Sequence, residues 1–264
     1  GFVYSGDKEL INKVVDGFPY EETQDQTKAI KDVFNDLRNN KPMDRLVYGD
    51  VGFGKTEVAI RAAILAISSG RVVFFLAPTT VLSDQHYINC VNRLSPAGVS
   101  VELLSRFKNP TQQKEILKKY ESGEIDLLVG THRLLSSDVK TDRLGLLIVD
   151  EEHRFGVKHK EAIRRIKARV DVLTLTATPI PRTLQQSLVG IRDTSKIETP
   201  PQERQPIKTY ICRFNWKDIK TKIKHELSRG GQVYFVHNKI ENMPFVVDKI
   251  SNLFPNMVVK GAHG

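Results

Sequence analysis

The sequence predicts an α/β fold in which a mostly parallel sheet carries helices on both faces. Three observations predict it. Six apolar segments of strand length alternate with segments of helical period. The strands are continuous Val, Ile and Leu runs, the pattern of strands covered on both sides. A glycine-rich G-x-x-x-x-G-K-[ST] run stands between the first strand and the helix that follows it.

Taken in chain order, Thr23 and Gln26 have the spacing of a capping box, and Ile30, Val33, Phe34 and Leu37 then share one helical face. Strands are expected at RLVYG near Arg45, RVVFFLAP from Arg71, VSVELL from Val99, IDLLVG from Ile125, LGLLIVD from Leu144 and VDVLTLTAT from Val170. Residues 191–208 are polar, hold three prolines and show no period of two or 3.6, so they read as an interdomain linker. The pattern then restarts with TYICRF as a strand, a helix from about Trp216 to Arg229, GGQVYFVHN as a strand, a further helix and MVVKGAHG. The expected organisation is a first domain at 1–190, a linker at 191–208 and the incomplete start of a second, similar domain at 209–264. A unit of that last size buries too little apolar surface to stand comfortably alone, so the chain is expected to continue past residue 264.

Composition narrows the function classes. With 40% hydrophobic and 27% charged residues the 264-residue chain has a globular balance. Its longest apolar run, VVFFLA from Val72, falls far short of the roughly 18 residues of a membrane span. The opening GFVYSGDKEL lacks the marks of an export or organellar leader. Cys90 and Cys212 lie far apart with no CxxC, which argues against a disulfide framework or a zinc site and for a reducing compartment. A formal charge of +9 favours a polyanionic partner, although a merely basic soluble enzyme fits charge alone equally well.

The run GDVGFGKT supplies Gly49, Asp50, Val51, Gly52, Phe53, Gly54, Lys55 and Thr56. Its glycines let backbone N–H groups wrap nucleotide phosphates at the positive end of the next helix, EVAIRAAILAI. Lys55 is expected to reach the β and γ phosphates and Thr56 to place its hydroxyl on Mg²⁺. A chance glycine-rich turn is the bland alternative. The second half of the site is LGLLIVDEEH, whose strand ends in Asp150, Glu151, Glu152 and His153. Asp150 suits the Mg²⁺ shell and Glu151 can polarise the water that attacks the γ-phosphate, so the catalytic set is Lys55, Asp150 and Glu151. Glu152 has no comparable role, and surface acids at a strand end are the bland reading of the cluster.

At this point the residues resemble superfamily 2 DNA translocases, in the branch that holds the bacterial transcription-repair coupling factors and RecG. FPYEETQDQ, MDRLVYGDVGFGKTEVA, APTTVLSDQHY, SRFK, VGTHRLL, LLIVDEEHRFGVKHKE and LTLTATPIPRTL occur in that family's order and approximate spacing over almost the whole chain. DEEHRFGV from Asp150 to Val157 is the coupling-factor form, where the RecG branch usually carries DEQHRFGV. The resemblance implies a RecA-like P-loop domain with the start of a second RecA-like lobe, ATP and Mg²⁺ as cofactors, and a bacterial cytoplasmic location, with an organellar homologue also compatible. It implies double-stranded DNA as partner, with RNA polymerase and nucleotide-excision-repair factors engaged through regions absent here.

The resemblance also assigns residues. Phe18 and Gln26 would recognise adenine, the ring on the base face and the amide on its edge. Read alone, Phe18 is a core or loop anchor and Gln26 a capping partner. Thr79 and Thr80, Arg106 and Lys108, and Thr131, His132 and Arg133 would follow the second, third and fourth strands along a DNA track. Singly, each reads as a solvated surface group or a helix cap. His153, Thr176 and Thr178 would couple the ATP site to the nucleic-acid side, with a buried, satisfied histidine as the alternative for His153. A fork-remodelling motor of the RecG kind, a non-motor P-loop switch or kinase, and a mere binding module remain open. By itself the chain is expected to hydrolyse ATP feebly, because the arginines of the second lobe are missing.

Overall fold

The computed structural model describes residues 2–140, 142–178, 192–202, 204 and 207–263. The chain divides into two compact units, Gly1–Gln205 and Pro206–Gly264.

In the first unit, a helix α1 (Lys8–Asp16) and α2 (Gln24–Leu37) precede β1 (Asp44–Gly49). Then come α3 (Lys55–Ser68), β2 (Val72–Leu76), α4 (Thr80–Leu94), β3 (Val101–Leu104), α5 (Pro110–Ser122) and β4 (Leu127–Gly130). β5 (Leu144–Asp150), α6 (Val157–Lys167), β6 (Asp171–Thr176) and β7 (Asp193–Ile197) complete it. The strands form one sheet in the order β3-β4-β2-β5-β6-β1-β7, with every pairing parallel.

All six expected strands are present, and so is the capping box. The Gln26 backbone N–H donates to Thr23 Oγ1 at 3.3 Å, and the Thr23 N–H donates to Gln26 Oε1 at 3.0 Å. Alternate strand residues feed two cores. Val47, Val73, Phe75, Ile148 and Leu173 pack against α1 to α4 on one face. Phe74, Leu128, Leu147, Val149 and Val172 pack on the other with residues of α5 and α6 such as Ile116 and Ile163. That double coverage is the α/β arrangement the continuous apolar strands require.

Two expectations need correction. The stretch 191–208 is not a linker throughout, because Asp193–Ile197 within it forms β7, paired along β1 from Arg45↔Asp193 to Gly49↔Ile197. As an edge strand it buries only Ser195 and Ile197 fully, so its sequence lacks the apolar run of a central strand. Polar bonds hold it instead: Arg45 donates to Ser195 Oγ at 3.0 Å, and Ser195 donates to Asp32 of α2 at 2.8 Å.

In the second unit, two helices appear where expected, α7 (Trp216–Ser228) and α8 (Met243–Leu253). The segments read as strands, TYICRF, GGQVYFVHN and MVVKGAHG, form no ladder among the described residues. A strand exists only through its pairing, and Ile211, Tyr234 and Val236 of these segments are exposed, at 100%, 92% and 88%. Trp216 stacks on Phe235 at 6.0 Å, and Ile223, Val246 and Ile250 are buried. Among the described residues no helix is long and apolar enough to cross a membrane.

Candidate nucleotide and nucleic-acid site

Because all strands run parallel, the segments after them emerge at one end of the sheet. Strand order then sorts them. The loops after β1, β6 and β5 lie side by side and carry GDVGFGKT, the TAT segment and DEEH. The loops after β2, β4 and β3 follow on the other half and carry the residues expected along DNA.

The loop Gly49–Thr56 joins β1 to the N-terminus of α3, so the first turn's N–H groups point into it. Gly52 and Gly54 have φ of 79° and 81°, a left-handed backbone that suits glycine. A Cβ at Gly54 would also lie 2.2 Å from Gln26 Nε2. The ladder crowds the loop's start in the same way: a Cβ at Gly49 would sit 2.5 Å from the Ile197 carbonyl oxygen of β7. Lys55 Nζ donates to the carbonyls of Gly49 at 2.7 Å and Asp50 at 2.8 Å. Burial lowers the Lys55 pKa, while the nearby Asp150 and Glu151 carboxylates oppose that effect. The phosphate-loop lysine and the two acids therefore share one electrostatic site, although β6 separates their strands by two spacings, roughly 10 Å.

Beside the loop opens a cavity of about 470 Å³ whose lining includes Phe18, Gln26, Gly54, Thr56, Arg93 and Arg204. Phe18 is half-buried, with the guanidinium groups of Arg93 and Arg61 at 5.2 and 5.9 Å from its ring centre. Both arginines pair with the buried Glu57, at 2.7 and 2.6 Å. Gln26 is 2% exposed. Besides its capping bond it donates through Nε2 to the Phe53 carbonyl at 2.8 Å, which leaves one amide hydrogen and one oxygen lone pair uncommitted. Arg204 was not foreseen. Its guanidinium lies 4.7 Å from the Phe53 ring centre and donates to Asp50 Oδ2 at 3.1 Å. Asp25 holds the preceding segment by accepting from the backbone N–H groups of Glu198 and Thr199, at 2.9 and 2.8 Å.

At the tip of β5, Asp150 Oδ2 is 2.8 Å from Nε2 of His86, a residue of α4. Glu151 takes a left-handed backbone at φ 48°, the single non-glycine residue with positive φ among those described. Such a conformation costs roughly 1–3 kcal/mol and persists where surrounding bonds enforce it. Here they do: the Glu151 N–H donates to Leu175, its Oε1 accepts from the Ala177 N–H at 2.8 Å, and its Oε2 accepts from the Thr176 hydroxyl at 2.9 Å. Since the single Thr176 proton goes to the carboxylate, Thr178 is the donor in the 2.7 Å contact between the two hydroxyls. His153 Nδ1 lies 3.2 Å from Glu151 Oε2, and the ring is half exposed, so it is not the buried histidine of the alternative reading. Pro179 and the rest of PIPRTL lie outside the described residues.

Glu152, without a role in the sequence reading, anchors a charged cluster with Arg192 at 3.2 Å and Lys167 at 3.6 Å. Arg192 also pairs with Asp44 at 2.8 Å and donates to the Thr174 hydroxyl.

The residues expected along DNA divide into two groups. Thr79 is exposed at the N-cap of α4 and accepts from the Leu82 N–H, and Thr80 is half-buried beside it. Arg106 is exposed, Lys108 half-buried and His132 exposed, with the His132 ring stacked on His159 at 4.8 Å. Burial, then His159 and Arg106, lower the His132 pKa, which places Arg106 and His132 within electrostatic reach of each other. Thr131 is 2% exposed and its hydroxyl has no partner among the described residues. Arg133 is already engaged within the chain, forked onto the exposed Asp138 at 2.8 and 2.6 Å and bonded to Gln113 at 2.9 Å.

Among the described residues no three His, Cys, Asp or Glu side chains converge as a metal cage. The donor set of Thr56 and Asp150 beside a phosphate cradle fits Mg²⁺, which takes few protein ligands and draws the rest from phosphates and water.

The DEAD/DEAH box helicase family matches over residues 23–187. The chain is 50% identical over 264 residues to the transcription-repair-coupling factor of Bacillus subtilis strain 168, covering 100% of this chain and 22% of that protein. It is 49% identical over 247 residues to the factor of the same name from Staphylococcus aureus strain USA300, covering 94% of this chain and 21% of that one. The chain thus spans about a fifth of the length of the curated relatives it matches. Among solved structures, RecG bound to a three-way DNA junction superposes with a TM-score of 0.81 at 31% identity, covering 96% of this chain and 34% of that one. The DUF1998 helicase MrfA bound to DNA gives 0.69 at 16% identity over 96% of this chain and 39% of that one, a likeness of fold.

Proposed function

The chain belongs to the DEAD/DEAH box helicase family, and from that premise we propose that it is the ATP-binding motor portion of a double-stranded DNA translocase of the transcription-repair-coupling kind. The observation that carries the reading is the sheet order, which sets the Lys55 loop, the Glu151–Thr176 network and Asp150 beside one another at a single edge. The identity of 50% to a coupling factor supports the choice of branch, as does the DEEH sequence.

In this reading Phe18 and Gln26 hold adenine, and the N–H groups of Gly49 to Thr56 with Lys55 hold the phosphates. Thr56 and Asp150 hold Mg²⁺, which when bound neutralises charge on the phosphate oxygens. Glu151 orients the attacking water. Its carboxylate is fixed by Thr176 and Ala177, so the water meets a pre-set acceptor instead of a swinging side chain. His153 and the Thr178–Thr176 relay make the same carboxylate responsive to the segment that follows β6.

Thr79, Thr80, Arg106, Lys108 and His132 form the duplex-facing rim, where hydroxyl, N–H and cationic groups suit phosphates. Residues 209–264 are read as the opening of a second RecA-like lobe. RNA polymerase and repair factors would be engaged by the larger protein. A RecG-like fork motor is the second reading, favoured by the superposition at TM-score 0.81.

The test is ATP turnover by the full-length protein with and without duplex DNA. Duplex-stimulated turnover that disappears in Lys55→Ala is expected, with the 264-residue chain alone nearly inactive. Turnover indifferent to DNA would instead point to a P-loop switch or kinase.

A further inference from the structure

His86 lies within α4, is 7% exposed, and stacks its ring on Phe75 of β2 with centroids 4.3 Å apart and planes 25° from parallel. Its Nε2 is 2.8 Å from Asp150 Oδ2. A carboxylate only accepts, so the ring proton is on Nε2. Nδ1 is then buried with no partner among the described residues. Packing against Phe75 keeps the ring from swinging away, and the bond commits one oxygen of Asp150. The other oxygen carries no hydrogen bond among the described residues and is the one left for a cation.

The same helix begins at Thr80 and is capped by Thr79, on the rim expected to face DNA. One short rigid element thus has a polar N-terminus on one half of the sheet edge and a donor on the metal-side carboxylate of the other. β2 and β5 are adjacent strands, so no other strand intervenes.

We propose that His86 is a positioning residue for Asp150, holding that carboxylate in its cation-binding orientation and joining it to the helix whose N-terminus meets the DNA backbone. This rests on the reading of Asp150 as the Mg²⁺ ligand. A hydrogen-bonded partner behind a ligating carboxylate tunes metal affinity by about 10- to 100-fold in other sites. A shift of α4 on duplex binding is passed to Asp150 through the Nε2–H donor, without any change in the phosphate loop.

The experiment uses the full-length protein and MgCl₂ titrations of fluorescent mant-ATP binding, followed by ATP turnover with and without duplex DNA. In His86→Asn the amide sits near the Nδ1 position and falls short of Asp150; in His86→Gln an N–H reaches the Nε2 position. His86→Asn is expected to raise the Mg²⁺ concentration for half-saturation by about tenfold and to lose most of the duplex stimulation. His86→Gln is expected to recover both, a pattern that loss of packing at Phe75 does not produce. Equal behaviour of the two variants, or a wild-type Mg²⁺ dependence in His86→Asn, overturns the proposal. Asp150→Asn separates the two levels: if it weakens Mg²⁺-dependent binding while His86→Asn does not, only the His86 role fails. If Asp150→Asn changes nothing, the metal assignment itself fails.

Discussion

Gln26 donates its side-chain amide to the Phe53 carbonyl at 2.8 Å, so a residue near the start of α2 fixes the crest of the phosphate loop from behind. The same side chain closes the capping box of its own helix. The segment ahead of the loop and the loop itself are therefore one polar unit, and the tightness of that unit dictates what can be changed in it.

Gly54→Ala should cripple nucleotide binding. The φ of 81° costs an alanine roughly 1–2 kcal/mol, and the new Cβ must also displace Gln26. A rise in nucleotide Kd of more than about tenfold is expected in a fluorescent-nucleotide titration. A wild-type Kd would show that the loop does not bind in this conformation.

The DNA rim can be tested by salt. Arg106→Ala and Lys108→Ala should each weaken duplex binding across sequences and reduce the slope of log K against log salt by about 0.9. Arg133 is already forked onto Asp138, so Arg133→Ala should leave the slope unchanged. Equal slope changes from all three would place Arg133 on the track after all.

Tyr4 links the N-terminal segment to the sheet. It is 1% exposed, and its hydroxyl lies 2.7 Å from the Gly145 carbonyl and 2.9 Å from Asp171 Oδ2. Burial raises the pKa of Asp171, and the Tyr4 hydroxyl counters that rise. Tyr4→Phe should lower stability by about 1–3 kcal/mol, read as a shift of the urea midpoint, because the buried acceptors lose their donor.

Glu152 gives a pH signature. Burial would raise its pKa, but Lys167 and Arg192 hold it below the usual carboxylate value. A depressed folded-state pKa stabilises above the unfolded value and loses that contribution as pH falls through the folded one. The urea-midpoint gap between the wild type and Glu152→Gln should therefore be full at neutral pH and shrink as the solution is acidified below the ordinary glutamate range. A gap that widens in acid would contradict the assignment.

Much of this architecture was legible in the residues because central parallel strands must be apolar on both faces. Phe74, Leu128 and Ile148 could scarcely belong to anything else. β7 was hidden because an edge strand is half solvated, and Asp193, Thr194 and Lys196 resemble a loop when read alone. The segments read as strands after residue 208 have the composition of strands but form no ladder among the described residues, because pairing is not written in composition. At the site, glycine spacing and the acids after β5 announced themselves. His86, Arg204 and Arg192 did not, since each acts on a residue far away in sequence. The Glu57–Arg61 spacing of four was the one local signal for the charged wall behind Phe18.

β7 runs along β1 through five paired positions, ending where Ile197 meets Gly49, and the chain leaves the first unit shortly afterwards. The five register pairs between β7 and β1 are therefore the part of the sheet nearest in sequence to the departing chain. A change in the segment after Ile197 thus meets the sheet at the strand that opens the glycine-rich loop, since Gly49 is packed directly against Ile197.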